Sequence, residues 1–417
     1  MNDMRMSPNL ALNQLVAQRR AAGESLVHLG FGESRLPPFA PLMERLAAGA
    51  TRNAYGPVAG SPEVRAAVAG YFGRRRIPTG PDQIVVAPGS KPLLMALGLV
   101  VPGDVILPRP AWNTYAPQAR LAGKHPIAVA IPEECGGVPD PVALRESITA
   151  ARVLGRDPRI LVLTLPDNPT GTLAPPALIR ELCAIAEEEG LLIVSDEIYR
   201  DVVHDPATEF LSPAEVAPAS TVVVTGLSKS LALGGWRIGA ARFPQGPWGE
   251  WIRAGVVSVA SEVWSTLAAP MQSVAEYAFS EPEEIRERLR ASARLHGAVA
   301  REVHRITVAA GARCRPPTGA FYVYPDFEPV RGELGKCEVT DSPTLARRML
   351  DLGIVVLAGH LLGDEGEALR FKCATSMLYG ETVEEQQLAL DAPDPLALAH
   401  IGSLLERIEE GFMRLVP

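Results

Sequence analysis

Lysine is scarce in this 417-residue chain. Of 40 basic residues only Lys91, Lys124, Lys229, Lys336 and Lys372 are lysine, so few amine nucleophiles are on offer. Cysteine is equally sparse. Cys135, Cys183, Cys314, Cys337 and Cys373 are odd in number and scattered, with no CxxC pair and no His/Cys cluster. That excludes a disulfide framework and a metal site of the zinc kind, and it fits a reducing cytosol. No run of about 18 apolar residues occurs, which argues against a membrane span. Met1-Asn2-Asp3-Met4-Arg5 leads into no apolar signal-peptide core. Excess positive charge is missing too: the net charge is −8, against nucleic acid or anionic membrane as main partner. With no internal repeats or low-complexity tracts, these absences describe a cytoplasmic globular protein.

At this length two domains are expected. The first 280 residues alternate strand and helix. Strands are predicted near 26–30, 84–86, 104–108, 126–130, 160–164, 191–195 and 221–225, with helices near 8–22, 41–49, 62–71, 92–100 and 175–189. Leu191-Leu192-Ile193-Val194-Ser195 is nearly apolar throughout, as a strand covered on both faces must be. The pattern is that of a largely parallel sheet wrapped by helices, which binds ligands at the carboxyl ends of its strands. A Rossmann reading of Gly30-Phe31-Gly32 fails because position 35 is Arg. From Glu283 to Arg305 runs a long charged helix. A smaller α+β unit follows, with strands near 306–309, 320–324, 353–357 and 369–373, a loop insertion at 379–397 and a closing helix at 399–415.

The stretch Thr225-Gly226-Leu227-Ser228-Lys229-Ser230 follows the strand Thr221-Val222-Val223-Val224, and Arg237 comes eight residues after the lysine in a glycine-rich turn. A buried lysine at a strand end sheds its proton readily and forms a Schiff base with an aldehyde. Ser228 and Arg237 suit a phosphate, and Gly235 and Gly239 let backbone approach it. The reading is an aldehyde-bearing phosphate cofactor, pyridoxal 5'-phosphate. Three more strand ends carry polar residues: Pro166-Asp167-Asn168-Pro169-Thr170-Gly171, Asp196-Glu197-Ile198-Tyr199, and Arg370. Gly89-Ser90-Lys91 after strand 84–86 leaves free amides at a helix start.

This ordered set, from Gly30-Phe31-Gly32-Glu33 to Arg370, resembles the class I/II aminotransferases of fold type I, the aspartate aminotransferase superfamily. The resemblance implies a three-layer α/β large domain with a mainly parallel sheet at 45–282. A smaller α+β domain would be built from both termini, with the arm and part of that domain at 1–44 and the rest at 283–417. It implies that Lys229 carries the cofactor and shuttles the proton, and that Asp196 pairs with the pyridinium nitrogen. Tyr199 and Asn168 would bond the 3'-oxygen, and Trp112 would stack on the ring. Phosphate would be held by Ser90, Lys91, Ser228 and Arg237, with Tyr55 reaching the phosphate of the other subunit of a homodimer. Arg370 would take the substrate α-carboxylate, with Gly32 and Asn168 beside it. The implied reaction moves an amino group between an amino acid and a 2-oxo acid by a ping-pong cycle.

The chain departs from the pattern around the arginine strand. Leu357-Ala358-Gly359-His360-Leu361-Leu362-Gly363 replaces a Pro-Gly loop with an aromatic residue, and Lys372 stands where relatives commonly carry a small residue. On a strand Lys372 shares a side with Arg370, which adds positive charge near the substrate. The same apparatus also serves β- or γ-elimination, replacement and carbon–carbon bond formation, so the reaction class stays open on residues alone. A ligand sensor on this fold would carry a basic DNA-binding module, and none precedes the pattern here.

Overall fold

The computed structural model describes residues 6–416. In chain order the strands are β1 (Val27–His28), β2 (Ile84–Ala87), β3 (Asp104–Arg109), β4 (Pro126–Ala130), β5 (Pro158–Thr164) and β6 (Leu192–Asp196). They continue with β7 (Thr221–Gly226), β8 (Gly239–Arg242), β9 (Tyr322–Val323), β10 (Ile354–Val355), β11 (Leu357–Ala358) and β12 (Phe371–Ala374). One seven-stranded sheet has the order β2-β8-β7-β6-β5-β3-β4. Its neighbours run parallel except at β8, which is antiparallel to β2 and β7.

Alternation along each strand explains the layers. Leu192 and Val194 of β6 pack with Leu93 and Leu97 of the helix Ser90–Val100 and with Ile252 and Val256 of the helix Pro247–Val263. Ile193 faces the other way, onto Leu144 and Ile148 of the helix Pro141–Val153 and Leu178 and Leu182 of the helix Pro176–Glu189. Each such buried side chain contributes about 1.5–3 kcal/mol of hydrophobic stabilisation. The helices are punctuated by local chemistry. Ser61 Oγ accepts the Val64 N–H at 3.3 Å to start the helix Pro62–Arg74, and Gly190, left-handed at φ 66°, stops Pro176–Glu189.

A second apolar cluster joins Val27, Leu29 and Leu36 to Leu295, Val299, Val303, Ile306, Phe371 and Phe412. Around it β1 pairs with β10 in parallel, and β11-β12-β9 form an antiparallel sheet.

Four expectations need correction here. Residues 306–309 are not a strand but the end of the helix Glu283–Ala309, because Ile306 continues the stripe Leu295, Val299, Val303 at spacings of four, four and three. Residues 353–357 split into β10 and β11, which belong to different sheets. β12 begins one residue after Arg370, which forms an isolated bridge with Asp326. The expected loop 379–397 contains the helix Val383–Asp391, started by Thr382 Oγ1 accepting the Glu385 N–H at 3.2 Å. Among the described residues, no helix is long and apolar enough to cross a membrane.

Candidate active site

Parallel strands β3, β5, β6 and β7 send the segments that follow them to one rim of the sheet, and a cavity of about 440 Å³ lies there. Lys229 stands in the single helical turn Leu227–Ser230 after β7. Its Nζ donates to the Gly32 carbonyl at 2.6 Å. Burial lowers its pKa to about 8, with Glu33 pulling upward and Arg237 and Lys91 pushing further down. Asp196 ends β6 fully inside the protein. It accepts from the Tyr115 hydroxyl at 2.7 Å and from the Ile198 N–H at 3.3 Å. Burial raises its carboxyl to about 6, against those two hydrogen bonds.

Asn168 lies in the turn after β5. That turn is held by Asp167, whose Oδ2 accepts from the Thr170 N–H at 3.0 Å and the Thr170 hydroxyl at 2.6 Å. The Asn168 Oδ1 is buried without a hydrogen-bond partner among the described residues. The Tyr199 hydroxyl lies 2.6 Å from that of Tyr322 on β9. A Cβ at position 32 would collide with the Tyr322 hydroxyl, so only glycine lets the loop after β1 close against this wall.

The opposite end of the cavity is a cradle. Ser90 opens the helix Ser90–Val100, whose first amides have no intrahelical acceptor and favour an anion. Gly89 (φ +92°) precedes it, and a Cβ there would strike the Arg237 guanidinium. Arg237 donates to Ser228 Oγ at 3.4 Å and to the Gly234 carbonyl at 2.8 Å. Lys91 Nζ lies 5.2 Å from the Trp112 ring centre, and Trp112 meets Tyr115 edge-on at 5.3 Å and 88°.

Ten of the residues singled out in the sequence therefore line one cavity: Lys229, Asp196, Tyr199, Asn168 and Gly32 with Ser90, Lys91, Trp112, Ser228 and Arg237. Two do not. Tyr55 is 90% exposed. Arg370 is engaged elsewhere, its Nε 3.2 Å from Asp326 Oδ2 and its Nη1 3.3 Å from Asp364 Oδ2. Lys372 does line the cavity, so the shared side expected for it and Arg370 does not bring both to the same space. His360 also stays out, its Nδ1 3.3 Å from the Ser342 hydroxyl.

Sequence reasoning missed Tyr115, Thr164, Tyr322, Phe31, Glu33 and the N-terminal Ser7, Asn9 and Leu10, all on the cavity wall. Tyr115 had a signal, falling three residues after Trp112 just past the end of β3. The N-terminal residues had none, because a fold-back of the chain brings them there. Among the described residues, no group of three or more His, Cys, Asp or Glu could hold a metal ion.

Comparison with known proteins agrees with this geometry. The chain is 33% identical over 389 residues to the aspartate/prephenate aminotransferase of Thermus thermophilus, covering 89% of this chain and 93% of that protein. It is 28% identical over 389 residues to the aspartate aminotransferase of Geobacillus stearothermophilus, covering 91% and 95%. The solved aspartate aminotransferase from Thermus thermophilus with maleate superposes with a TM-score of 0.81 at 28% identity, covering 99% of this chain and 97% of that one. Residues 24–381 match the family described as aminotransferase class I and II, and the chain is an aminotransferase belonging to that family.

Proposed function

We propose that this aminotransferase uses pyridoxal 5'-phosphate, bound through Lys229, to move an amino group between an amino acid and a 2-oxo acid by a ping-pong cycle. The carrying observation is that half-buried Lys229 and buried Asp196, at the ends of adjacent strands, face the same cavity. The residues present fit the cofactor on their own chemistry. Among the described residues no ion pair holds Asp196, and a protonated ring nitrogen against it would keep the carboxylate charged where burial alone pushes it up to about 6. Ser90, Lys91, Ser228 and Arg237 make a cradle for the phosphate. Trp112 flanks the ring. Tyr199 and Asn168 supply the hydrogen bonds to its 3'-oxygen.

When bound, the cofactor supplies an aldehyde that condenses with amines and a ring that takes up an electron pair. Lys229 Nζ does the rest of the proton work. It anchors the resting enzyme and, once an incoming amino group displaces it, carries the substrate Cα proton. With its pKa lowered to about 8, about half of the amine is uncharged, the form a proton acceptor needs, only near pH 8, and roughly a tenth at pH 7.

The names of the relatives make aspartate the donor to try first, with 2-oxo acids as acceptors. The same reading includes a homodimer with Tyr55 serving the partner's phosphate, domains at 1–44, 45–282 and 283–417, and work in the cytoplasm, where five free cysteines are stable. Purified enzyme mixed with aspartate alone should change its visible absorption and release one 2-oxo acid per site, and Lys229→Ala should abolish both. Release of a β- or γ-substituent fragment with the absorption unchanged at the end would instead mark an elimination enzyme.

A further inference from the structure

Along β12 the side chains alternate, as a strand requires. Phe371 and Cys373 enter the apolar cluster of the smaller sheet, so Lys372 between them faces the other way, onto the cavity. It pairs through its backbone with Leu357 of β11 and is 1% exposed. Its Nζ lies 5.0 Å from the Tyr322 ring centre, and among the described residues it makes no hydrogen bond or ion pair. Lys91 and Lys229 line the same cavity. In the reading above, on which this inference rests, Lys229 is taken by the cofactor and Lys91 stands in the phosphate cradle. Lys372 is the lysine left free there.

An amine attacks a carbonyl only through its lone pair. Two surroundings free that pair: an apolar wall that strips water from the ammonium, and a second cation close by. Lys372 has both. Burial, its largest influence, brings it down to about 7, with Lys229 pushing the same way and Asp167 and Cys373 pulling upward. Burial persists when Lys229 is tied to the cofactor. Asp167, the one carboxylate in this set, is engaged in its own turn by the Thr170 N–H and hydroxyl. From β9 the aromatic ring of Tyr322 meets Lys372, and from β11 the apolar Leu357.

We infer that Lys372 is a second imine-forming amine, which condenses reversibly with the carbonyl of a small 2-oxo acid, the class of compound that transamination brings into this cavity. The Nζ lone pair adds to the carbonyl carbon while the carbonyl π pair moves to oxygen. Two protons pass from nitrogen to that oxygen, water leaves, and a C=N bond remains. No oxidant or reductant takes part, and hydrolysis returns both partners. A 2-oxo acid held in this way fills the space an amino acid needs, so accumulating product slows the enzyme without touching the cofactor.

The test exposes cofactor-loaded enzyme to radiolabelled pyruvate and sodium cyanoborohydride near neutral pH, which fixes an imine as a stable secondary amine, and maps the labelled peptides by mass spectrometry. One carboxyethyl group per chain should appear on Lys372, at least about tenfold more than on any other lysine, because ordinary lysines are almost wholly protonated near neutral pH. Lys372→Arg keeps a cation but forms no imine. It should retain the absorption of bound cofactor, lose the label, and escape the slowing that pyruvate causes in the parent. The inference is overturned if the parent takes up no label, if the label falls on Lys229 or spreads over all five lysines, or if Lys372→Arg is slowed by pyruvate as the parent is. The underlying reading fails separately, by cofactor absorption that is the same with and without Lys229. Labelling of Lys372 in Lys229→Ala chains decides the present inference in that event too.

Discussion

The Lys229 ammonium is taken out of water at the end of β7, and burial outweighs the pull of Glu33, leaving the amine at about 8 where free lysine lies at 10.5. Only the uncharged amine attacks an aldehyde, so the direction of the pH effect follows. In protein stripped of cofactor, the rate of recapturing pyridoxal phosphate should rise about tenfold per pH unit below 8 and level off above it. Absorption stopped-flow over pH 6 to 10 measures this, and a rise continuing without a plateau to pH 10 would show an ordinary lysine. The residues of the site were legible where they sit in short motifs at strand ends, because a parallel sheet must present those positions on one rim. Tyr322 was not. Tyr322 reaches the cavity by the packing of β9 against Gly32, which no local pattern encodes.

Among the elements, β5, β6 and β7 were readable because strands covered on both faces leave continuous apolar runs. The helix ending at Ala309 was misread at its tail because Ile306-Thr307-Val308 is β-branched, while the stripe from Leu295 already demanded another helical turn. The helix Val383–Asp391 had a visible start in Thr382 and Glu385, a reciprocal cap that the acidic composition around it masked. The turn after β5 shows how one element positions another. Gly171, left-handed at φ +70°, accepts from the Thr318 and Gly319 amides at 2.8 and 3.0 Å, and a Cβ there would collide with the Tyr322 carbonyl. Gly171→Ala should therefore cost about 1–3 kcal/mol from backbone strain alone. It should also weaken cofactor binding by shifting Asn168 on the cavity wall. Thermal melting with and without cofactor tests both effects, and an unchanged melting point in both would refute the coupling.

At the scale of the whole molecule the question is what Tyr55 is for. A tyrosine 90% exposed has no packing role in its own chain, yet Pro57 close by is anchored, its carbonyl accepting from the Thr266 hydroxyl at 2.9 Å. A fixed turn presenting a free phenol suits a group used by a neighbour. In a two-fold dimer each chain would give its Tyr55 to the other's phosphate cradle, so the two chains share both sites. Tyr55→Phe should weaken cofactor binding about tenfold through one lost hydrogen bond to a charged group. The geometry of sharing makes a sharper prediction. In a mixed dimer of Lys229→Ala and Tyr55→Phe chains, the intact Lys229 receives an intact Tyr55 from its partner, while the other site lacks both. Unfolding and refolding the two variants together at limiting cofactor should return about a quarter of the parental sites, as random pairing of two chains dictates. If Tyr55 serves its own chain, every site keeps one defect and mixing returns nothing.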